Sequence, residues 1–373
     1  MSQSNCNNYF NMKHLTNISL LSLVLLLFAC DGKKETALLP KASGKPGEML
    51  IVMDSGLWKG ELGTAVKSTF QAEVPGLPRQ EYLFKINRVE PTKFNNVLKT
   101  VKNLVFVVTL DSKTSASRVI KDYFTKGSLD EIRKNKDLFV YTAKDEFARG
   151  QNIMYLFGSN SENLISKIEE NRERLQSYFN NAENERLKAG IYNAKEKEGF
   201  EKLLKDDHQC TMRIPFGYKL IVNQPGFVWF RQINDESDKD IFITYKNFNS
   251  EKSFEQESII NFRDSVAMKQ LFEDPAKSDT YVVTETKVPY IPVVSNQYNF
   301  NDKYAIETRG LWKTNNLSMG GPFIGYTLVD ESLNRLYYIE GFVYSPGKSQ
   351  REFIREMEVI LNTFKVSSEI ENN

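Results

Sequence analysis

The pattern of the sequence changes near residue 208, and this change constrains the fold more than any other feature. Before it, short apolar runs alternate with helical stretches, and residues 104–108 form a β-branched run typical of a buried central strand. After it, predicted strands follow one another and are joined by turns. We therefore predict an α+β protein. An N-terminal α/β domain, ferredoxin-like or layered, spans residues 48–207, and an antiparallel sheet with packed helices spans residues 208–373.

Two predicted helices have strongly periodic apolar faces, and we expect both faces to lie against a core. The face of the long helix that begins at Ser159 or Ser161 contains Leu164, Ile165, Ile168, Leu175, Tyr178 and Phe179. The face of the C-terminal helix contains Phe353, Ile354, Met357, Ile360, Leu361 and Phe364. Capping boxes are expected at Ser253 with Gln256 and at Ser349 with Glu352.

An apolar stretch near the N-terminus ends in Leu27-Phe28-Ala29-Cys30. It resembles the lipobox of bacterial lipoproteins, which implies a signal peptide over residues 1–29 and a diacylglycerol on the Cys30 thiol. A start at Met12, next to a lysine, fits this pattern better than a start at Met1. The apolar run is too short for a spanning helix, which needs about 20 apolar residues.

Residues 30–47 are polar, contain proline and glycine, and show no periodicity, so we interpret them as a lipidated tether. We expect the protein in the cell envelope, at the periplasmic face of the outer membrane. The inner membrane is the alternative location. The protein is then expected to contact the membrane through its N-terminal lipid.

The composition argues against several classes of function. The formal net charge is +1, which does not suit binding to nucleic acid. The three cysteines and two histidines leave only Cys210 and His208 in the predicted folded part. An intramolecular disulfide and a zinc site built on Cys and His are therefore excluded, and we expect no metal and no cofactor.

His208 and Cys210 lie two residues apart, which would place them on one side of an extended segment. A reactive Cys-His pair is one interpretation. We prefer the other, in which His208 is a linker residue in water and Cys210 is a small buried side chain. No catalytic residue is predicted.

Several segments occur in an order that resembles an uncharacterised family of Bacteroidetes lipoproteins, the domain of unknown function 4837. They are 44–48, 57–63, 75–81, 148–151, 307–312 and 319–323. The resemblance extends over essentially the whole chain after the tether. It implies a bacterial cell-envelope protein and no particular activity.

A candidate ligand site combines Arg309, Trp312, Gly320 and Gly321, with Arg149 as a further candidate. Glycines let a backbone approach a ligand, a tryptophan ring can stack, and a guanidinium binds anions. The simpler interpretation, which we prefer, is that Trp312 belongs to the core and the glycines shape a strand connection.

Two classes of function remain. The first is a non-catalytic module that binds an envelope protein or a ligand; the second is a carboxylate-based hydrolase acting on envelope glycans. We favour the first, because the predicted folded part has one histidine and one cysteine and shows no catalytic motif. Whether the protein is an enzyme stays open, and we expect that it is not.

Overall fold

The computed structural model describes residues 39–193, 198–289 and 291–370. The predicted signal peptide, Cys30 and the tether up to residue 38 lie outside these ranges. Within them the chain forms two main sheets, one N-terminal and one C-terminal, with helices packed on both. The α+β fold class is confirmed.

The N-terminal sheet has five strands in the order β2-β1-β3-β5-β4, and all are parallel except the edge strand β4. The strands are β1 (Glu48–Met53), β2 (Lys85–Val89), β3 (Asn103–Thr109), β4 (Val140–Lys144) and β5 (Asn152–Gly158). Every residue of β3 and β5 is buried, because helices cover both faces of the sheet. Of the two predicted arrangements, this is the layered one.

The helices of this part divide between the two faces of the sheet. They are α1 (Ser55–Lys59), α2 (Glu61–Phe70), α3 (Ser115–Lys121), α4 (Lys126–Lys134), α5 (Ser161–Glu170) and α6 (Arg172–Ile191). α2, α5 and α6 bury their apolar residues against one face, and α3 and α4 against the other. The periodic face predicted for the long helix lies in the first of these cores, although the helix is divided at Asn171.

The C-terminal sheet is antiparallel, with the order β10-β12-β13-β14-β9-β8-β7. β10 pairs with residues 311–314 of β12, and β11 pairs with residues 303–309 of the same strand. The strands are β7 (Lys219–Gln224), β8 (Phe227–Ile233), β9 (Asp238–Asn247), β10 (Val282–Glu285), β11 (Val294–Phe300), β12 (Lys303–Thr314), β13 (Gly320–Asp330) and β14 (Arg335–Tyr344). A short pair, β6 (Cys210–Thr211) and β15 (Lys365–Val366), lies beside it.

Helices pack on both faces of this sheet. α8 (Gln256–Gln270) covers a core that contains Trp229 and Trp312. α9 (Arg351–Leu361) covers the opposite core, and the periodic face predicted for it is confirmed. The described elements also include the helices α7 (Glu198–His208) and α10 (Ser367–Ile370) and three 3-10 helices, Pro91–Lys93, Leu98–Thr100 and Glu251–Phe254.

Two segments at the domain edges pack differently from the expectation. α7, assigned from the sequence to the N-terminal domain, buries Leu204 in the core of the C-terminal sheet. Residues 39–47, expected to belong to the tether, contact the N-terminal sheet. Lys41 forms a parallel bridge with Arg149, and Ser43 forms one with Val101.

Both predicted capping boxes are wrong. The N-cap residues of α8 and α9 are Glu255 and Gln350, and neither side chain makes a capping hydrogen bond. The helices α3 and α4 and the strand β11 were not predicted, because their segments are short and largely polar.

Candidate functional site

Arg309 is a largely buried member of an ion-pair network on β12, with 12% of its side chain exposed. Its guanidinium donates to Glu307 at 2.7 Å and to Glu358 of α9 at 2.8 Å. Tyr326 donates its hydroxyl to the same Glu307 carboxylate at 3.1 Å. Burial by itself would lower the pKa of Arg309, but the two carboxylates raise it above its ordinary value. The charge of Arg309 is therefore already paired inside the protein.

Trp312 lies on the other face of β12, since the two positions are three residues apart in a strand. Its ring is buried in the core beneath α8, and its Nε1–H donates to the carbonyl oxygen of Val343 at 3.2 Å. Gly321 allows this packing, because a Cβ there would lie 2.0 Å from the same oxygen. Gly320 is exposed at the start of β13.

Arg149 lies on the other sheet, in the loop between β4 and β5. Its Nε–H donates to the carbonyl oxygen of Leu39 at 3.1 Å, and its backbone pairs with Pro40 and Ala42. The structure therefore does not bring Arg149, Arg309 and Trp312 together. A ligand-binding role for each stays a prediction.

His208 is buried, contrary to the expectation of a linker residue in water. Its two ring nitrogens lie 3.2 Å from the Tyr245 hydroxyl and 2.6 Å from the Asn223 amide oxygen. Cys210 is buried as expected, and burial raises the pKa of its thiol to about 12. A thiol in this state is a poor nucleophile.

The carboxyl groups with raised pKa values lie inside the C-terminal sheet. Burial raises the pKa of Asp240 to about 7, although Arg231 and the Trp229 indole N–H oppose the shift. Burial also raises the pKa of Glu340, which forms a fully buried pair with Arg263. Neither side chain reaches solvent, so neither can act on an external substrate.

An open groove of about 820 Å³ lies between α4 and the edge strand β4. One wall is formed by α4 and the residues before it, and the other by β4 and the loop that follows. Ser128, Glu131 and Ile132 of α4 line the first wall. This is a surface of the N-terminal part that the sequence analysis did not identify.

Aromatic rings form the base of this groove around Tyr155. The Tyr155 ring stacks on Phe106 at 4.8 Å and contacts Phe124 edge-on at 5.5 Å. Tyr141 of β4 lies 6.0 Å from Tyr155 and is 59% exposed. An exposed ring beside buried ones offers a flat apolar surface to a ligand.

Acidic groups border the aromatic base. Glu146 accepts a hydrogen bond from the Tyr155 hydroxyl at 3.0 Å. Burial, followed by the charge of Glu146, raises the pKa of Tyr155 well above its ordinary value, so the hydroxyl stays protonated. Glu131 and Asp145 also line the groove, and Lys144 is the basic residue beside them.

The outer edge of β4 has no neighbouring strand among the described residues. The N–H of Phe157 bonds to the oxygen of Phe139, and the N–H of Asp145 bonds to that of Gln151. Odd-numbered residues of β4 therefore bond to β5, and the even-numbered ones direct their backbone N–H and C=O outward. These are Val140, Thr142 and Lys144.

The sequence held one signal for this groove. Tyr123 and Phe124 stand in a largely polar stretch, where aromatic side chains need an explanation, and Tyr141 ends the short apolar run 138–141. The pairing of Tyr141 with Tyr155 depends on the register of β4 with β5, which the sequence does not specify.

No helix in the described part of the chain is long and apolar enough to cross a bilayer. The same residues contain no group of three or more His, Cys, Asp or Glu side chains that could hold a metal ion.

The solved structures that match this chain include the Ran-binding protein Mog1p of Saccharomyces cerevisiae. The match has 10% identity and a TM-score of 0.28, and it covers 46% of this chain and 94% of that protein. Human StAR-related lipid transfer protein 5 matches with 8% identity and a TM-score of 0.22, over 52% of this chain and 98% of that protein. TM-scores of this size support no functional inference. No curated protein matches the sequence.

Two family models match the chain, and they meet at the junction between the two sheets. The predicted resemblance to domain of unknown function 4837 is confirmed for the C-terminal part alone, because the N-terminal part matches a different family. Residues 197–363 match a domain of unknown function, DUF4837, and residues 42–192 match a second domain of unknown function, DUF8532.

Proposed function

We propose that this protein is a lipid-anchored envelope lipoprotein, of the kind found in Bacteroidetes, that binds a partner protein without catalysing a reaction. The binding surface is the groove between α4 and β4. The observation that carries this proposal is the combination of an exposed Tyr141 over a buried aromatic base with an unpaired strand edge. Both features suit an extended protein segment, which adds to a strand through its backbone and inserts side chains beside it.

The chemistry of the described residues supports binding over catalysis. The carboxyl groups with raised pKa values are buried, and so are Cys210 and His208. A glycan hydrolase needs two carboxyl groups about 5–10 Å apart in an accessible cleft, one of them with a raised pKa. No observation favours that second function.

The anchor rests on the sequence around Cys30. Growing cells with an alkyne fatty acid should label the wild-type protein and leave Cys30→Ser unlabelled. Equal labelling of both proteins would contradict the lipid anchor, and so would no labelling of either.

Binding in the groove is tested by a photoreactive amino acid placed at Tyr141 in the native cells. We expect one discrete adduct with another envelope protein. The matched control is the same amino acid at Tyr304, a tyrosine on the C-terminal sheet that is 54% exposed. An adduct at Tyr304 and none at Tyr141 would contradict binding in the groove and would place the binding surface on the C-terminal sheet.

A further inference from the structure

We propose that an open groove at one end of the C-terminal sheet binds a linear polyamine, a flexible chain of methylene groups with ammonium groups along it. This site is separate from the groove beside β4, and its ligand is a small molecule and not a protein. The proposal goes beyond the proposed function and does not depend on it.

The C-terminal groove has a volume of about 1090 Å³. It lies where β9 and β13 end and where β12 and β14 begin, and the 3-10 helix Glu251–Phe254 lines it as well. Because neighbouring antiparallel strands run in opposite directions, these four strand ends meet at one edge of the sheet. The groove is therefore built from segments that are far apart in the sequence.

Aromatic rings line part of the C-terminal groove. Phe254 contacts Tyr304 edge-on, with 5.2 Å between the ring centroids, and lies 5.9 Å from Phe248. Tyr304 is exposed, whereas Phe254 is half-buried beside it. An accessible ring next to other rings attracts an ammonium group and offers an apolar surface to the methylene groups that join ammonium groups.

Three carboxylates line the same groove, those of Glu251, Asp302 and Glu331. All three are exposed, and none of them forms an ion pair with another described residue. Lys303, the basic residue of the lining, is already paired with Glu369 at 2.8 Å. The groove therefore has an excess of negative charge, although the whole chain has a formal net charge of +1. A cation complements it.

The arrangement of the charges favours a long cation over a compact one. The described part of the chain contains no group of three or more His, Cys, Asp or Glu side chains that could hold a metal ion, so these carboxylates do not converge on one point. The ammonium groups of a polyamine can each reach a separate carboxylate. The methylene groups between them can lie over Phe254 and Tyr304.

The experiment is calorimetric titration of the purified protein, as the cells process it, with spermidine at low salt. We expect one binding site per chain, and weaker binding in 0.5 M salt because the charges are exposed. Putrescine and Mg²⁺ carry the same charge and are compared on the wild type, which needs no variant. Putrescine should bind more tightly, since only putrescine offers methylene groups to the rings.

Variants locate the site. Replacing Glu251 and Glu331 together by glutamine should weaken spermidine binding at least about tenfold, because two charges are lost while the shape of each side chain is kept. Tyr304→Ala should weaken it about threefold. The matched controls are Glu185→Gln, an exposed glutamate on α6, and Tyr141→Ala, an exposed tyrosine of the groove beside β4. Both should bind spermidine as the wild type does, and equal melting temperatures will show that every variant is folded.

The absence of spermidine binding would overturn the proposal, and so would equal affinities of the wild type and the double glutamine variant. Equal binding of putrescine and Mg²⁺ would also overturn it, since the groove would then attract any cation. Binding that is lost in Tyr141→Ala and kept in Tyr304→Ala would place the polyamine in the groove beside β4. None of these results changes the adduct expected at Tyr141, because a polyamine is not an envelope protein.

Discussion

Glu81, in the loop before β2, caps the helix that begins at Arg351 in the C-terminal part. Its two carboxylate oxygens accept the backbone N–H of Gln350 at 2.6 Å and of Arg351 at 3.0 Å. The Arg351 side chain in turn donates to the carbonyl oxygen of Tyr82 at 2.9 Å. The N-terminus of α9 is thus satisfied by a residue about 270 positions away, and the cap joins the two sheets.

Replacement of Glu81 by alanine should lower the free energy of unfolding by about 1–2 kcal/mol, the usual contribution of an N-cap. Urea denaturation measures this change. The matched control is Glu201→Ala on α7, an exposed glutamate at which the same substitution should cost less than about 0.5 kcal/mol. Equal effects at the two sites would mean that the cap contributes nothing.

Replacement of Arg309 by alanine should destabilise the protein by about 2–4 kcal/mol, because it leaves the largely buried carboxylates of Glu307 and Glu358 without their counter-ion. The comparison is Arg133→Ala, which breaks the exposed pair with Asp130 and should cost less than about 1 kcal/mol. Urea denaturation of both variants decides the question. If the Arg309→Ala variant is as stable as the wild type, the ion pairs of Arg309 contribute little to stability, and a ligand-binding role for this residue gains support.

Asp240 should make stability depend on pH in the direction opposite to that of an ordinary surface carboxylate. Its pKa is raised from 3.8 to about 7, first by burial, so the folded state holds a proton that the unfolded state releases. The contribution of Asp240 is therefore largest below pH 4 and is lost as the pH rises towards 7.

The wild type should lose on the order of 2–4 kcal/mol relative to Asp240→Asn between pH 4 and pH 8. Chemical denaturation at each pH gives the difference, in which other titrating groups cancel. Asp235→Asn, at an exposed turn position, is the control for the substitution itself. A constant difference between the wild type and Asp240→Asn would contradict the raised pKa.

Cys210 should resist alkylation while the protein is folded. Its thiol is buried, and a pKa of about 12 leaves very little thiolate at neutral pH. In a chain carrying Cys6→Ser and Cys30→Ser, a maleimide should react with Cys210 at least about 100-fold more slowly than in 8 M urea. Labelling at similar rates in the two conditions would show that the site opens readily.

The sequence was a good guide where periodicity reports burial. The apolar faces of α5, α6 and α9 were predicted residue by residue, and the core of each sheet contains them. The N-terminal cap of α9 was not predictable, because Glu81 reaches it from a loop in the N-terminal part of the chain. Local spacing can identify only a cap within the same segment.

The candidate ligand site illustrates a different limit. Arg309 and Trp312 are close in sequence, yet a strand places residues three apart on opposite faces. Alternation along the predicted strand was enough to separate them. The groove beside β4 gave almost no sequence signal, because its wall depends on the pairing of Tyr141 with Tyr155 and on a helix that the sequence did not predict.

The sequence by itself determined the class of the fold and the scarcity of histidine and cysteine, because these follow from periodicity and composition. It also contains the lipobox-like segment at Cys30, on which the proposed anchor rests. Only the tertiary structure decided which charges are paired and which strand edge stays free. Both depend on contacts between residues far apart in the chain, and a local pattern of side chains does not specify those contacts.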